Sequence, residues 1–258
     1  MLRAVIWDVD GTIAETERDG HRVAFNRAFA ECGLAWDWDV SIYGDLLRVP
    51  GGRERLLAWM ESCPDAPATE AGRLQLASEL HGRKGHHYCE LVEQGALVAR
   101  PGVLRLVHAC VDAGVHLAVA TTTGRGNVEA LFPRLFGADW RALFPVRVCA
   151  EDAPQKKPHP QVYELALNRL GMAAADAMAI EDSPAGLGAS RAAGVGCLVT
   201  RGAYFEDADF PGAVHVCRDL DHATATPDGI GTPIDLPALR HLHTVGRWMV
   251  LDEDGPRR

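Results

Sequence analysis

Residues 4–12 read AVIWDVDGT: four apolar residues run without interruption into two carboxylates set two apart, then a glycine and a hydroxyl. A short apolar run broken by turn chemistry reads as a strand buried on both faces. In a continuous strand Asp8 and Asp10 would share a face, and Gly11 lets the backbone turn sharply just beyond them. Similar runs recur at 115–120, 146–150, 177–180 and 195–199, with helical patterns between them. That rhythm belongs to a parallel sheet with crossover helices. The sequence therefore predicts an α/β fold with a Rossmann-like parallel-sheet core.

Roughly 105 residues separate the first two runs, where a crossover needs about a dozen, so something is inserted. The insert reads as helical. Phe25, Ala28, Phe29 and Cys32 follow i, i+3, i+4, i+7 spacing, Leu56, Leu57 and Met60 make a second stripe, and 74–92 supports a third helix. Gly33 is expected to stop the first of these, 64–67 to form a loop, and Pro101 to occupy the first turn of a helix re-entering the core. The expected organisation is a core of residues 1–15 plus 96–221, a helical cap at 16–95, and a C-terminal extension at 222–258 with one short helix at 236–245.

The 258 residues, 47% hydrophobic and 24% charged, fit one large domain or a core with a smaller partner. A formal charge of -9 disfavours general attraction to nucleic acid or anionic membrane. Anionic substrates then need local basic pockets. No run approaches the ~20 apolar residues of a membrane span. The seven cysteines come no closer together than Cys197 and Cys217, which suits neither a zinc pair nor a disulfide framework and leads to the expectation of a reduced, cytoplasmic protein.

Several predicted strands end in residues suited to phosphoryl transfer: Asp8 and Asp10 after the first, Thr121 after the second, and Glu181-Asp182 after the one at 177–180. Lys157, in the KKPHP loop, would join them in the crevice at the strand ends. A carboxylate can attack phosphorus and become an aspartyl phosphate, dividing hydrolysis into two steps. Attack of one anion on another needs charge compensation. Magnesium, held by Asp8 and Asp182, suits that need; Lys157 would offset the remaining charge, Thr121 would position a phosphoryl oxygen, and Asp10 would protonate the leaving oxygen and later activate water.

DVDGT, a threonine at a strand end, Lys-Pro in KKPHP and EDSPAG, in that order, resemble the four motifs of the haloacid dehalogenase-like hydrolases over about residues 1–217. The resemblance implies Asp8 as nucleophile, Asp10 as acid/base, and the Asp10 main-chain carbonyl as a further magnesium ligand. A second aspartate at position 10 is similar to the phosphatase and phosphomutase members. Within the cap, DGTIAETERDGHRVAFNRAF, GGRERLL from Gly51 and HGRKGHHY from His81 resemble the CbbY branch, whose members include phosphatases of xylulose 1,5-bisphosphate. Arg53 stands where that branch usually has lysine.

An isolated Asp-x-Asp is commonly a solvated loop; four motifs in order at strand ends favour catalysis. Glu181 is read as a metal-water contact, with a helix cap as the other reading and Ser183 as the cap in that case. Among the three threonines the first fits the motif, with Thr122 as the next candidate and a substrate contact. Lys84 and Arg53 are read as cap cations for a distal phosphate; Gly51-Gly52 would allow close backbone approach, and Arg55 is the other cation of that stretch. Glu17 and His21 are candidates for substrate contact or for a hinge, Tyr43 for a hydroxyl contact or for packing. Lys156 is expected to be an exposed neighbour of Lys157, His81, His86 and His87 to be solvated, and Trp36 and Trp38 to pack. The reading is a magnesium-dependent phosphatase of a small phosphorylated sugar, with a phosphoglucomutase-like isomerase, a phosphoglycolate phosphatase and an Asp-phosphorylated signalling module as alternatives; a cap of roughly 80 residues has no use in the last. The oligomeric state is open.

Overall fold

The computed structural model describes residues 1–222 and 233–253, with side chains through 246. Six strands, β1 (Ala4–Trp7), β2 (His116–Ala120), β3 (Val146–Val148), β4 (Ala177–Glu181), β5 (Gly196–Thr200) and β6 (His215–Cys217), form one parallel sheet in the order β3-β2-β1-β4-β5-β6. The helices are α1 (Arg22–Glu31), α2 (Val40–Leu46), α3 (Gly52–Ser62), α4 (Glu70–Glu93), α5 (Val103–Asp112), α6 (Arg125–Phe136), α7 (Trp140–Leu143), α8 (Gln161–Leu170), α9 (Pro184–Ala192) and α10 (Leu236–Glu253). This is the α/β Rossmann-like arrangement the strand rhythm predicts, with the helices α1 to α4 inserted after β1.

Strand period explains the layers. Val5, Trp7, Leu117, Val119, Met178 and Ile180 face a core shared with α5, α6 and α10. The alternate residues Ala4, Ile6, Ala118, Ala120, Ala177 and Ala179 face α8 and α9. Small side chains on that face let the second helical layer sit close. The cap has its own core, in which Trp38 lies 4.8 Å from Phe25 and 4.9 Å from Phe29, ring centroid to ring centroid. Trp36 and Trp38 are buried there, in the packing role expected.

The chain enters and leaves the inserted helices through adjacent segments: Ala14 bridges both Asp10 and Ala99, and the Arg100 N–H donates to the Ile13 carbonyl at 2.8 Å. Gly33, at φ 69°, follows the end of α1 and accommodates the reversal there. Two local expectations are corrected. Pro101 precedes α5, because Gly102 at φ 80° is the N-cap and the helix starts at Val103. The tail helix runs from Leu236 to Glu253, well past the expected stop at 245, and Leu236, Leu239 and Leu242 pack into the core. Residues 223–232 and 254–258 of the expected extension lie outside the described residues.

Candidate active site

The sheet order reverses direction at β1, whose neighbours β2 and β4 lead to opposite edges. Ligands in open α/β sheets bind outside the strand ends at such a point. The loop after β1 and the end of β4 are joined there by the Asp8 N–H donating to the Ile180 carbonyl at 3.0 Å. Asp8, Glu181 and Asp182 are buried and each offers a carboxylate oxygen within 4.8 Å of the others. Burial, with repulsion from Glu181 and Asp10, pushes the Asp8 carboxyl up to about 7 despite Lys157. Burial and the Asp8 and Glu181 charges push Asp182 well above the carboxylate range.

The Lys157 ammonium spends its donors on Asp8 Oδ1 at 2.6 Å, Glu181 Oε1 at 2.6 Å and the Ala120 carbonyl at 2.9 Å. Glu181 Oε1 also accepts from the Tyr163 hydroxyl, while its Oε2 is buried without a partner. Among the described residues no hydrogen bond reaches the Asp182 carboxylate. One ammonium against three buried carboxylates leaves a deficit of positive charge. Hard oxygen donors of this kind suit a divalent cation such as magnesium. The carboxylates also sit where only glycine fits: a Cβ on Gly11 or Gly202 would strike Asp182 Oδ2, and one on Gly186 would strike Glu181. Ser183 is the N-cap of α9, its hydroxyl accepting from the Gly186 N–H at 3.1 Å.

Asp10 belongs to a second group, built with the inserted helices. Its Oδ1 accepts from the Thr16 hydroxyl at 2.5 Å and lies 3.2 Å from His21 Nε2. Burial works to raise its pKa, but His21, Thr16 and the Lys84 charge outweigh it and hold Asp10 at about 2. His21 is stacked on Tyr88 at 4.5 Å and comes from a π-helical turn, Glu17–His21, that leads into α1. Glu17 accepts from the Tyr43 hydroxyl at 2.5 Å and from Arg55 at 3.3 Å, and Arg55 donates to Tyr43 at 2.9 Å. Tyr43 is fully buried, so its hydroxyl orients Glu17 and Arg55 from behind. Lys84, 5% exposed, lies 5.5 Å from the Phe25 ring and 5.2 Å from the Tyr88 ring. Burial pulls its ammonium down to about 8, and among the described residues it has no hydrogen-bond partner.

Two cavities meet at these groups. One is lined by Asp8, Asp10, Lys157 and Asp182; the other, about 310 Å³, by Arg53, Lys84, Gly52, His21 and His81. Asp10, Glu17, Arg55 and Thr122 line both. Thr121 is buried beside them, its hydroxyl oxygen accepting from the Thr123 N–H at 3.2 Å. Arg53 is exposed, whereas Arg55 is buried and committed to Glu17. His86 is exposed and His87 pairs with Glu31 and Glu90. Lys156 departs from expectation: it is half-buried and lines the larger cavity. Tyr163, which holds Glu181, and Arg100, which holds the loop after β1, were not legible. Each acts across a long sequence separation, with only the Arg-Pro-Gly punctuation at 100–102 as a local signal.

Comparison with known proteins agrees with this geometry. The family model for haloacid dehalogenase-like hydrolases matches residues 2–194. CbbY encoded on a plasmid of Cupriavidus necator is 42% identical over 247 residues, covering 94% of this chain and 97% of that protein. The crystal structure of CbbY from Rhodobacter sphaeroides in complex with phosphate superposes with a TM-score of 0.78 at 38% identity, covering 85% of this chain and 95% of that one. A mutant of the same protein, solved in complex with xylulose-(1,5)bisphosphate, gives 0.79 with the same identity and coverage. With its parallel sheet, inserted helices and carboxylates at the strand ends, the chain belongs to the haloacid dehalogenase-like hydrolase family and to the CbbY-type branch within it.

Proposed function

We propose that this phosphoric monoester hydrolase is a magnesium-dependent sugar-phosphate phosphatase that works through an aspartyl phosphate on Asp8, with xylulose 1,5-bisphosphate as its preferred substrate. Residues 1–15 and 96–221 form the catalytic core in this reading, and residues 16–95 the cap. The observation that carries it is the continuity of the two cavities: a nucleophile, a proton donor and a carboxylate cluster at one end, and the cap cations Arg53 and Lys84 at the other. A monophosphate matched by Lys157 at the catalytic end leaves those cations without a phosphate; a bisphosphate uses both. The complex of the Rhodobacter sphaeroides relative with xylulose-(1,5)bisphosphate supports the same substrate class.

Asp8, Asp182, the Asp10 carbonyl and, through water, Glu181 would hold magnesium, which when bound supplies Lewis-acid stabilisation of phosphoryl charge. Lys157 fixes Asp8 Oδ1, leaving the other carboxylate oxygen to attack phosphorus. Asp10 is ionised beside His21 and Thr16, and the arriving phosphate raises its pKa by like-charge repulsion. To act as the acid it must receive a proton from solvent or substrate as the complex forms; it then gives that proton to the leaving oxygen and accepts one from the water that attacks the aspartyl phosphate. The residues around Asp10 come from the cap side, so cap closure completes the acid/base group and excludes bulk water.

The test is phosphate release with magnesium from a panel of phosphorylated metabolites at low concentration, with product isomers assayed alongside. The proposal expects xylulose 1,5-bisphosphate to have the highest kcat/KM, with free phosphate as product. A preference for phosphoglycolate, or conversion of glucose 1-phosphate to its 6-phosphate without phosphate release, overturns it.

A further inference from the structure

Arg100 lies on the segment leaving the cap, and its guanidinium reaches backbone carbonyls from three separate strand ends. It donates to the Gly11 carbonyl after β1, to Thr200 (carbonyl 3.2 Å, hydroxyl 3.1 Å) and Arg201 (2.6 Å) at the end of β5, and to Arg218 (2.9 Å) after β6. Its Nε pairs with Glu15 at 3.2 Å, on the segment entering the cap, and the side chain is only 8% exposed. The other Glu15 oxygen accepts from the Ala203 N–H at 3.4 Å. Only a planar fork with five donors can serve acceptors spread this widely.

The chosen carbonyls matter. Gly11 and Gly202 are the two residues whose missing Cβ leaves room for Asp182 Oδ2. Arg100 bonds Gly11 directly and bonds Arg201, the residue before Gly202. The Asp182 carboxylate has no hydrogen bond of its own among the described residues, so its place is set by these two walls. We propose that Arg100 is a positioning residue that fixes both walls of the Asp182 slot and anchors them to the two segments joining core and cap. The inference rests on the reading of Asp182 as a metal ligand. A ligand that gains no orientation from direct bonds depends on the backbone around it, as ligands ordinarily depend on their outer partners.

The experiment measures manganese(II) binding to the full chain without substrate, by electron paramagnetic resonance of the free ion, for the parent, Arg100→Met, Arg100→Lys and Gly202→Ala. Loss of outer partners typically costs 10–100-fold in metal affinity. Arg100→Met is expected to raise the manganese Kd at least tenfold. Arg100→Lys, which keeps charge but loses the fork, should fall between it and the parent. Gly202→Ala, with Arg100 intact, should reproduce the loss by crowding Asp182 directly. A folded Arg100→Met with Kd within threefold of the parent overturns the inference. If neither Arg100 variant folds, Glu15→Gln loosens the same guanidinium, and an unchanged Kd there overturns it equally. A parent that binds no manganese overturns the metal reading, and this inference with it.

Discussion

The proposed mechanism asks Asp8 to be both a metal ligand and a nucleophile, and burial opposes its ionisation, pushing it up to about 7. Asp8→Asn keeps the size while removing the charge and the attacking oxygen. Turnover should fall by several powers of ten with the thermal midpoint nearly unchanged; steady-state activity within tenfold of the parent would rule out covalent catalysis at this position. Asp10→Asn separates the two steps. With an activated aryl phosphate the first step no longer needs an acid, so rapid-quench mass spectrometry should find phosphate on Asp8 of that variant; an unmodified Asp8 during slow turnover counts against Asp10 as the base. Lys84 carries a pH prediction. Its ammonium, pulled down to about 8 by burial, is cationic below that pH and neutral above it. A site that uses the cation loses affinity for the distal phosphate as pH rises, so bisphosphate kcat/KM should fall about tenfold per unit above pH 8. Lys84→Arg should lose that alkaline limb, and an unchanged limb would place the titration elsewhere. Asp8, Asp10, Lys157 and Asp182 were legible because each follows a strand in a four-part order. Arg100 and Tyr163 were not, because a side chain that acts across 89 residues, as Arg100 does on Gly11, or across 18, as Tyr163 does on Glu181, leaves no local pattern.

At the scale of elements, the positions of β1, β2, β4 and β5 could be read because continuous apolar runs bounded by turn residues are a strong signal for strands buried on two faces. β3, an edge strand broken by Arg147, could be read through the apolar residues around it at 146–150. β6, His215–Cys217, is a three-residue edge strand that follows a Gly- and Pro-containing stretch, where the strand pattern fades. α2, Val40–Leu46, has seven residues and cannot show two turns of periodicity; its one cue is the Asp39 side chain accepting from the Ile42 N–H at 2.7 Å. The junction of β1 and β4 gives a measurable consequence. Because the Asp8 pKa is raised from 3.8 to about 7, the protonated form is favoured in the folded state. The metal-free protein therefore loses stability as pH rises from about 4 towards 7. Magnesium selects the ionised carboxylates, so it should weaken in binding at least tenfold between pH 8 and pH 5.5. At a free concentration of about 100 Kd it adds about 2.7 kcal/mol, or ~5–10 °C in Tm for a chain of this size. Scanning calorimetry should show that gain at pH 8 and about half of it or more lost at pH 5.5; an equal gain at both would mean the metal does not sit on these groups.

Across the whole molecule, the insertion of α1 to α4 between β1 and β2 would, in the proposed reading, separate the reacting end of the site from the end that selects the substrate. The core supplies Asp8, Lys157 and Asp182, while Arg53 and Lys84 lie on α3 and α4. Thr16 and His21, on the way into the cap, hold Asp10, so in the proposed mechanism the position of the cap governs both the acid/base and the distal cations. A charge-assisted hydrogen bond to the second phosphate is worth about 1.5–3 kcal/mol, or about 10- to 150-fold in kcat/KM. The most direct measurement is kcat/KM for xylulose 1,5-bisphosphate and for an aryl monophosphate, with magnesium, in the parent, Arg53→Ala and Lys84→Ala. The parent should favour the bisphosphate strongly, and each substitution should lower the bisphosphate-to-monophosphate ratio by at least tenfold; a parent that favours the monophosphate, or variants that lose both activities in equal measure, would contradict a site built to hold two phosphates.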